Sequence, residues 1–156
     1  NGVAVAGGLT LALLCDLRVA GASARLGDTS GRVGLLPDEG GAWLFPRAMG
    51  MEAALRMTLL GEIYDAERAR ELGLVGEVVP DEKLREHTAE LAAVLAAKAP
   101  LAVRVAKKLM LRAAGTSFDH ALGDAEFAVD VVNNSADVAE GVAAFVEKRP
   151  PRFEGR

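Results

Sequence analysis

Cysteine, aromatic residues and an excess of positive charge are what this 156-residue chain has least of. Its one cysteine, Cys15, excludes an internal disulfide and fits a reducing, cytoplasmic setting. Aromatic residues make up only 4% of a chain that is 51% hydrophobic, so the core must be packed from small and aliphatic side chains at close backbone approach. A net charge of −4 removes the electrostatic case for nucleic acid. The longest apolar run, Val3 to Cys15, is broken by Gly7-Gly8 and Thr10 and is too short to span a bilayer. Neither a Gly-x-Gly-x-x-Gly pattern nor a P-loop is present. His87 and His120 have no cysteine or acid at metal-ligand spacing, so both read as solvated and no metal site is expected. Cys15 sits in an apolar run without a nearby histidine or lysine and reads as a buried, inert thiol.

What is there suffices for one globular domain with a real core. Gly2 to Ala6 reads as a buried strand, Gly7-Gly8 as a turn, and Leu9 to Cys15 as a buried helix. Leu17 to Ala22 is a second short strand, Ala24 to Gly27 an extended piece, and Asp28 to Gly31 turn chemistry. Helical spacing follows over Ala42 to Met49 and Met51 to Leu60, then over a short helix between Asp65 as N-cap and Gly73 as C-cap. Leu74 to Val79 is a strand ended by Pro80. Beyond it lie four helical segments: Asp81 to Lys98, Leu101 to Ala114, Ser117 to Asn133 and Ala136 to Lys148. The expected organisation is an α/β part over residues 1–80 and an all-helical part over 81–156. The chain enters an apolar run at once from Asn1, which reads as a fragment preceded by further structure. The four helices then need a partner subunit or that preceding layer to pack on.

One stretch carries the chemistry: Gly34-Leu35-Leu36-Pro37-Asp38-Glu39-Gly40-Gly41-Ala42-Trp43. Two acids stand side by side at an extended-to-helical junction, with Leu36 and Trp43 as apolar neighbours. A carboxylate walled by apolar side chains could have a raised pKa and act as a proton shuttle. The alternative is a helix cap, since Asp caps helices and acids suit their positive end. Upstream, a strand, Gly7-Gly8 and a helix in sequence would aim backbone N–H groups at negative charge, or would simply make a tight turn. Arg104, Lys107, Lys108 and Arg112 form a basic helix face, either solvated or able to meet phosphates.

These pieces stand in a fixed order: Asn1-Gly2, Gly7-Gly8 and Leu14-Cys15-Asp16; then Gly34 to Gly41; then Leu60-Gly61, Ala66, Ala69 and Gly73-Leu74-Val75; then Phe145-Val146-Glu147-Lys148-Arg149. In that order they closely resemble the enoyl-CoA hydratase/isomerase (crotonase) family, over essentially the whole chain and in its C-terminal two-thirds. The resemblance implies an α/β fold, a ββα spiral followed by a helical trimerisation region, and a homotrimer or dimer of trimers. It implies an acyl-CoA substrate, with coenzyme A entering as part of the thioester and no permanently bound cofactor. It assigns one N–H donor for the thioester oxygen to Gly7, with a second donor upstream. Such donors, aimed at developing charge, are worth ~3–4 kcal/mol each.

The same resemblance places Thr10 and Ser30 where hydratases carry two glutamates that activate water. Neither hydroxyl is an effective base without an activating partner. Asp38 resembles the catalytic acid of the isomerase branch, and the Pro-Asp-x-Gly-Gly-x-Trp form looks most like its ring-epoxide members. The implied function is an acyl-CoA isomerase that shifts a double bond through an enolate. Asp38 and Gly7 are its catalytic positions, and Thr10, Ser30, Leu36, Glu39 and Trp43 its substrate pocket. Glu39 is the rival base, expected to point elsewhere as a helix-start charge or supporting group. Phe145 and Lys148 match positions that approach coenzyme A, although a cation at a helix end also complements the dipole. The alternatives are a hydratase working through a different base, a ring-epoxide isomerase, and a catalytically silent acyl-CoA-binding subunit.

Overall fold

A computed structural model describes residues 1–156. The chain divides into two compact units, Asn1–Glu90 and Leu91–Arg156. In the first, β1 (Val3–Val5) runs into α1 (Gly7–Leu13), followed by β2 (Val19–Gly21) and β3 (Arg25–Gly27). Then come α2 (Gly41–Met49), α3 (Met51–Leu60), β4 (Ile63–Asp65), α4 (Ala66–Glu71) and β5 (Glu77–Val79). The strands form two small sheets. One has the order β1-β3-β4, with β1 and β3 parallel and β3 and β4 antiparallel. The other pairs β2 with β5 in parallel. A parallel neighbour cannot be reached through a tight hairpin, and α1 lies in the connection from β1 to β3.

Most local signals act as the sequence predicts. The Asp65 carboxylate accepts from the Arg68 N–H at 2.8 Å and caps α4. The C-cap of α4 is Leu72 rather than Gly73, which follows it with φ +85°. β4 escapes the sequence reading, because three residues between Gly61 and a helix cap are too few to display a period of two. Its partner settles it: Leu26 stands opposite Tyr64. The helix after β1 starts at Gly7, two residues earlier than the pattern predicts. It ends at Leu13 and buries Leu9, Thr10 and Leu13. Cys15 therefore falls beyond the helix, and it is exposed rather than buried. His87 is likewise not merely solvated, because its Nε2 pairs with Glu77 Oε2 at 2.8 Å.

The core of this unit is small and aliphatic, as the composition demands: Leu9, Leu13, Leu26, Met57, Leu74 and several alanines around one aromatic, Phe45. Phe45 is 1% exposed. Its ring leaves no room at Gly41, where a Cβ would lie 2.6 Å from Phe45 Cζ and 2.8 Å from Pro37 Cβ. The Phe45 ring and Pro37 thus both close on Gly41 at the start of α2.

In the second unit, α6 (Pro100–Ala113) packs on α7 (Phe118–Asn133), and α8 (Ala136–Glu147) follows. α5 (Leu84–Ala96) crosses the division between the units. Ser117 caps α7 by accepting from the His120 N–H. The segment after α8 folds back along it. Asp137 accepts from the N–H groups of Glu154 (2.7 Å) and Gly155 (3.0 Å), and Glu140 binds the Arg149 guanidinium through both oxygens (2.6 and 2.9 Å). No helix is long and apolar enough to cross a membrane.

Candidate active site

The site begins at the junction of β1 and α1. Ala6 has φ 48° and ψ −126°, a left-handed backbone unusual for a residue with a Cβ. Two hydrogen bonds hold it there: its N–H donates to the Gly27 carbonyl of β3, and its carbonyl accepts from the Thr10 N–H, both at 3.1 Å. The chain thereby turns sharply from strand into helix at Gly7.

The loop carrying both acids lies across this turn. A Cβ built on Gly7 would stand 3.0 Å from Glu39 Oε1, and its three nearest heavy atoms all belong to Glu39. A Cβ built on Gly40 would lie 3.9 Å from Thr10 Cγ2. The structure thus brings Gly7, Thr10, Glu39 and Gly40 together from the first turn of α1 and the loop before α2. Glu39 therefore lies over Gly7, and it precedes the N-cap of α2 without entering the helix's first turn. The N-cap of α2 is Gly40 (φ 106°), and the helix has no acid in its first turn.

Asp38 is exposed. Its N–H donates to the Leu36 carbonyl at 2.9 Å, and its side chain does not cap α2. The capping reading of Asp38 is therefore not realised. Leu36 and Trp43 expose 66% and 57% of their surface, so they flank the acids in sequence without enclosing them. Trp43 carries Arg47 over its ring, 3.8 Å from the centroid, and Arg47 Nη1 donates to the Trp43 carbonyl at 3.1 Å. The sequence reading missed this cation–π pair, which the i,i+4 spacing of Trp43 and Arg47 could have revealed.

Two buried groups lie under the surface. Thr10 is 2% exposed, and its Oγ1 has no hydrogen-bond partner. Asp28 is wholly buried; its Oδ1 accepts from the Ser30 N–H at 3.0 Å, and its Oδ2 is unpartnered. Ser30 is buried beside it. The sequence reading treated Asp28 as turn chemistry alone. An aspartate two residues before a turn N–H does make that turn, but only the structure seals it from water.

In the second unit Phe145 is 85% exposed and Lys148 is the C-cap of α8, with φ 54°. On α6, Arg112 pairs with Asp124 at 3.2 Å, and Arg104 Nε donates to the Pro100 carbonyl at 3.0 Å, so part of the expected basic face is engaged within the unit.

The profile of the enoyl-CoA hydratase/isomerase family matches residues 1–156. The chain belongs to that family. It is similar to the 2,3-dehydroadipyl-CoA hydratase of Escherichia coli, at 35% identity over all of this chain and 61% of the relative. It is also similar to the 1,2-epoxyphenylacetyl-CoA isomerase of the same organism, at 38% identity over all of this chain and 60% of the relative. The crystal structure of the enoyl-CoA hydratase from Bacillus anthracis superposes with a TM-score of 0.97 at 36% identity, covering all of this chain and 60% of that one. The architecture is therefore the α/β crotonase fold. The chain spans about 60% of the length of these relatives.

Proposed function

We propose that this family member acts as an acyl-CoA isomerase, moving a carbon–carbon double bond by proton transfer through an enolate. One observation supports the reading: the Glu39 side chain, next in sequence to Asp38, lies over the Gly7 turn, so the acid-bearing loop meets the proposed backbone donor. In this reading the substrate's thioester oxygen takes the Gly7 N–H, with a second donor upstream as the family resemblance implies. Hydrogen bonding to the developing enolate makes the neighbouring carbon acidic. The exposed Asp38 carboxylate removes its proton, and the C–H electron pair enters the enolate. Reprotonation two carbons along restores the thioester carbonyl and leaves the double bond conjugated.

Thr10 and Ser30 support this reading over ordinary hydration, because neither is an effective base for water. They belong, with Leu36, Glu39 and Trp43, to the proposed substrate pocket. Phe145 and Lys148 are the proposed coenzyme A contacts. Residues 1–80 are read as the C-terminal part of the ββα spiral and 81–156 as a trimerisation and coenzyme A region, in a cytoplasmic homotrimer or dimer of trimers. The similarity to an epoxyphenylacetyl-CoA isomerase extends the candidate substrates to ring epoxides.

Hydration is the second reading, favoured by the hydratase relative and by the buried Asp28 carboxylate, the one acid found beside Ser30. A 3-enoyl-CoA and a 2-enoyl-CoA given separately to the full-length protein separate the cases. Gain of conjugated thioester absorbance from the first, lost in Asp38→Asn, supports isomerisation. Loss of absorbance from the second indicates hydration. Neither change, with the ester still bound, indicates a silent acyl-CoA-binding subunit.

A further inference from the structure

We propose that Glu39 is a second proton-transfer group of this site, delivering the proton that completes the reaction Asp38 begins. The proposal rests on the isomerase reading above and deepens it by dividing the two proton transfers between two carboxylates.

The placement argues for it. Glu39 is the side chain over Gly7, with Oε1 3.0 Å from the position a Cβ would take there. No atom of Asp38 is among the three nearest to that point. The two acids are neighbours in sequence, yet they leave the loop differently. The Asp38 N–H donates to the Leu36 carbonyl and its side chain is exposed, whereas the Glu39 side chain lies over Gly7, the first residue of α1. Two carboxylates that diverge from one loop can address two carbons of one planar dienolate. Glu39 is exposed, and neither a hydrogen bond nor an ion pair engages its carboxylate. A second observation marks the same place. Thr10, whose methyl lies against Gly40, is 98% buried with an unpartnered hydroxyl. A buried hydroxyl without a partner is costly and calls for one, and the Glu39 loop is the acid-bearing segment beside it.

The Asp38 carboxylate takes a proton from C2 of a 3-enoyl thioester, and the C2–H electrons form the dienolate. Glu39 takes up a proton from solvent and gives it to C4; the C3–C4 π electrons make the new C–H bond, and the carbonyl re-forms with a C2–C3 double bond. Asp38 has gained one proton and Glu39 has passed on the one it took up, and release of the Asp38 proton to solvent resets the site.

The test uses the full-length protein in deuterated water with a 3-enoyl-CoA, following two signals: conjugation, and deuterium at C2 of recovered substrate. The wild type should conjugate the substrate and place solvent deuterium at C4. Glu39→Gln should lower kcat at least 30-fold with KM changed less than threefold, while deuterium continues to enter C2. Asp38→Asn should lose both signals. Conjugation at the wild-type rate in Glu39→Gln would overturn the proposal, as would direct transfer of a C2 deuterium label to C4 when a C2-deuterated substrate is turned over in ordinary water. Loss of C2 exchange in a folded Glu39→Gln protein would also overturn it, because Glu39 would then serve the first step. Absence of both signals in the wild type would defeat the isomerase reading itself, and this assignment with it.

Discussion

Glu39 Oε1 stands 3.0 Å from the point where a side chain on Gly7 would begin. That contact brings the turn after β1 together with the loop before α2. In Gly7→Ala the methyl meets only the far end of a flexible side chain, so folding should change by less than about 1 kcal/mol. The displaced carboxylate should nonetheless cut kcat by about tenfold or more, about 1.4 kcal/mol in the barrier. Paired melting curves and steady-state kinetics check both halves.

Ala6 stores strain beside this contact. Its φ of 48° with ψ −126° is a backbone region in which a residue with a Cβ costs about 1–3 kcal/mol. Ala6→Gly should relieve part of that cost and raise stability by about 1 kcal/mol, offset in part by the entropy of a more flexible unfolded chain. Denaturant unfolding measures it, and a lower midpoint would show that Ala6 is not strained in solution.

Asp28 is wholly buried, with one oxygen bound to the Ser30 N–H and the other unpartnered. Asp28→Ala removes the acceptor and leaves that N–H unsatisfied, which should cost about 1–3 kcal/mol. Asp28→Asn keeps the acceptor and should cost less. If the two variants unfold at the same denaturant concentration, the Ser30 bond is not what Asp28 contributes.

The return of the chain along α8 should be acid-sensitive. The Arg149 guanidinium, followed by the Arg152 N–H, lowers Glu140 from its ordinary 4.5 to about 2. A depressed carboxylate stabilises the folded arrangement above its unfolded value, and that contribution fades as pH falls from 4.5 to about 2. The Arg152 amide, hydrogen-bonded to Glu140 Oε1 at 2.7 Å, should lose protection from hydrogen exchange across that window. Glu140→Gln should weaken the protection at neutral pH and flatten its pH dependence.

Local chemistry was legible in the sequence wherever one residue type suffices to state it. Asp65 and Ser117 cap their helices, Gly73 turns the chain one residue past the C-cap of α4, and the small apolar stretch after Gly2 is a strand, because capping and turning depend on neighbours within four residues. The ordered motifs around Gly7, Asp38 and Phe145 likewise carried the family. Burial and orientation were not legible. Cys15 lies in an apolar run yet is exposed, because α1 has only one inward face and ends at Leu13. Which of two adjacent acids meets Gly7 depends on how the loop before α2 lies against the first turn of α1, a contact between residues 39 and 7 far apart in the chain. The sequence by itself determined the elements and the residues available for chemistry. Tertiary structure alone decided that Glu39 lies over Gly7 and that Asp28 is sealed from water, since both depend on packing that no local pattern encodes.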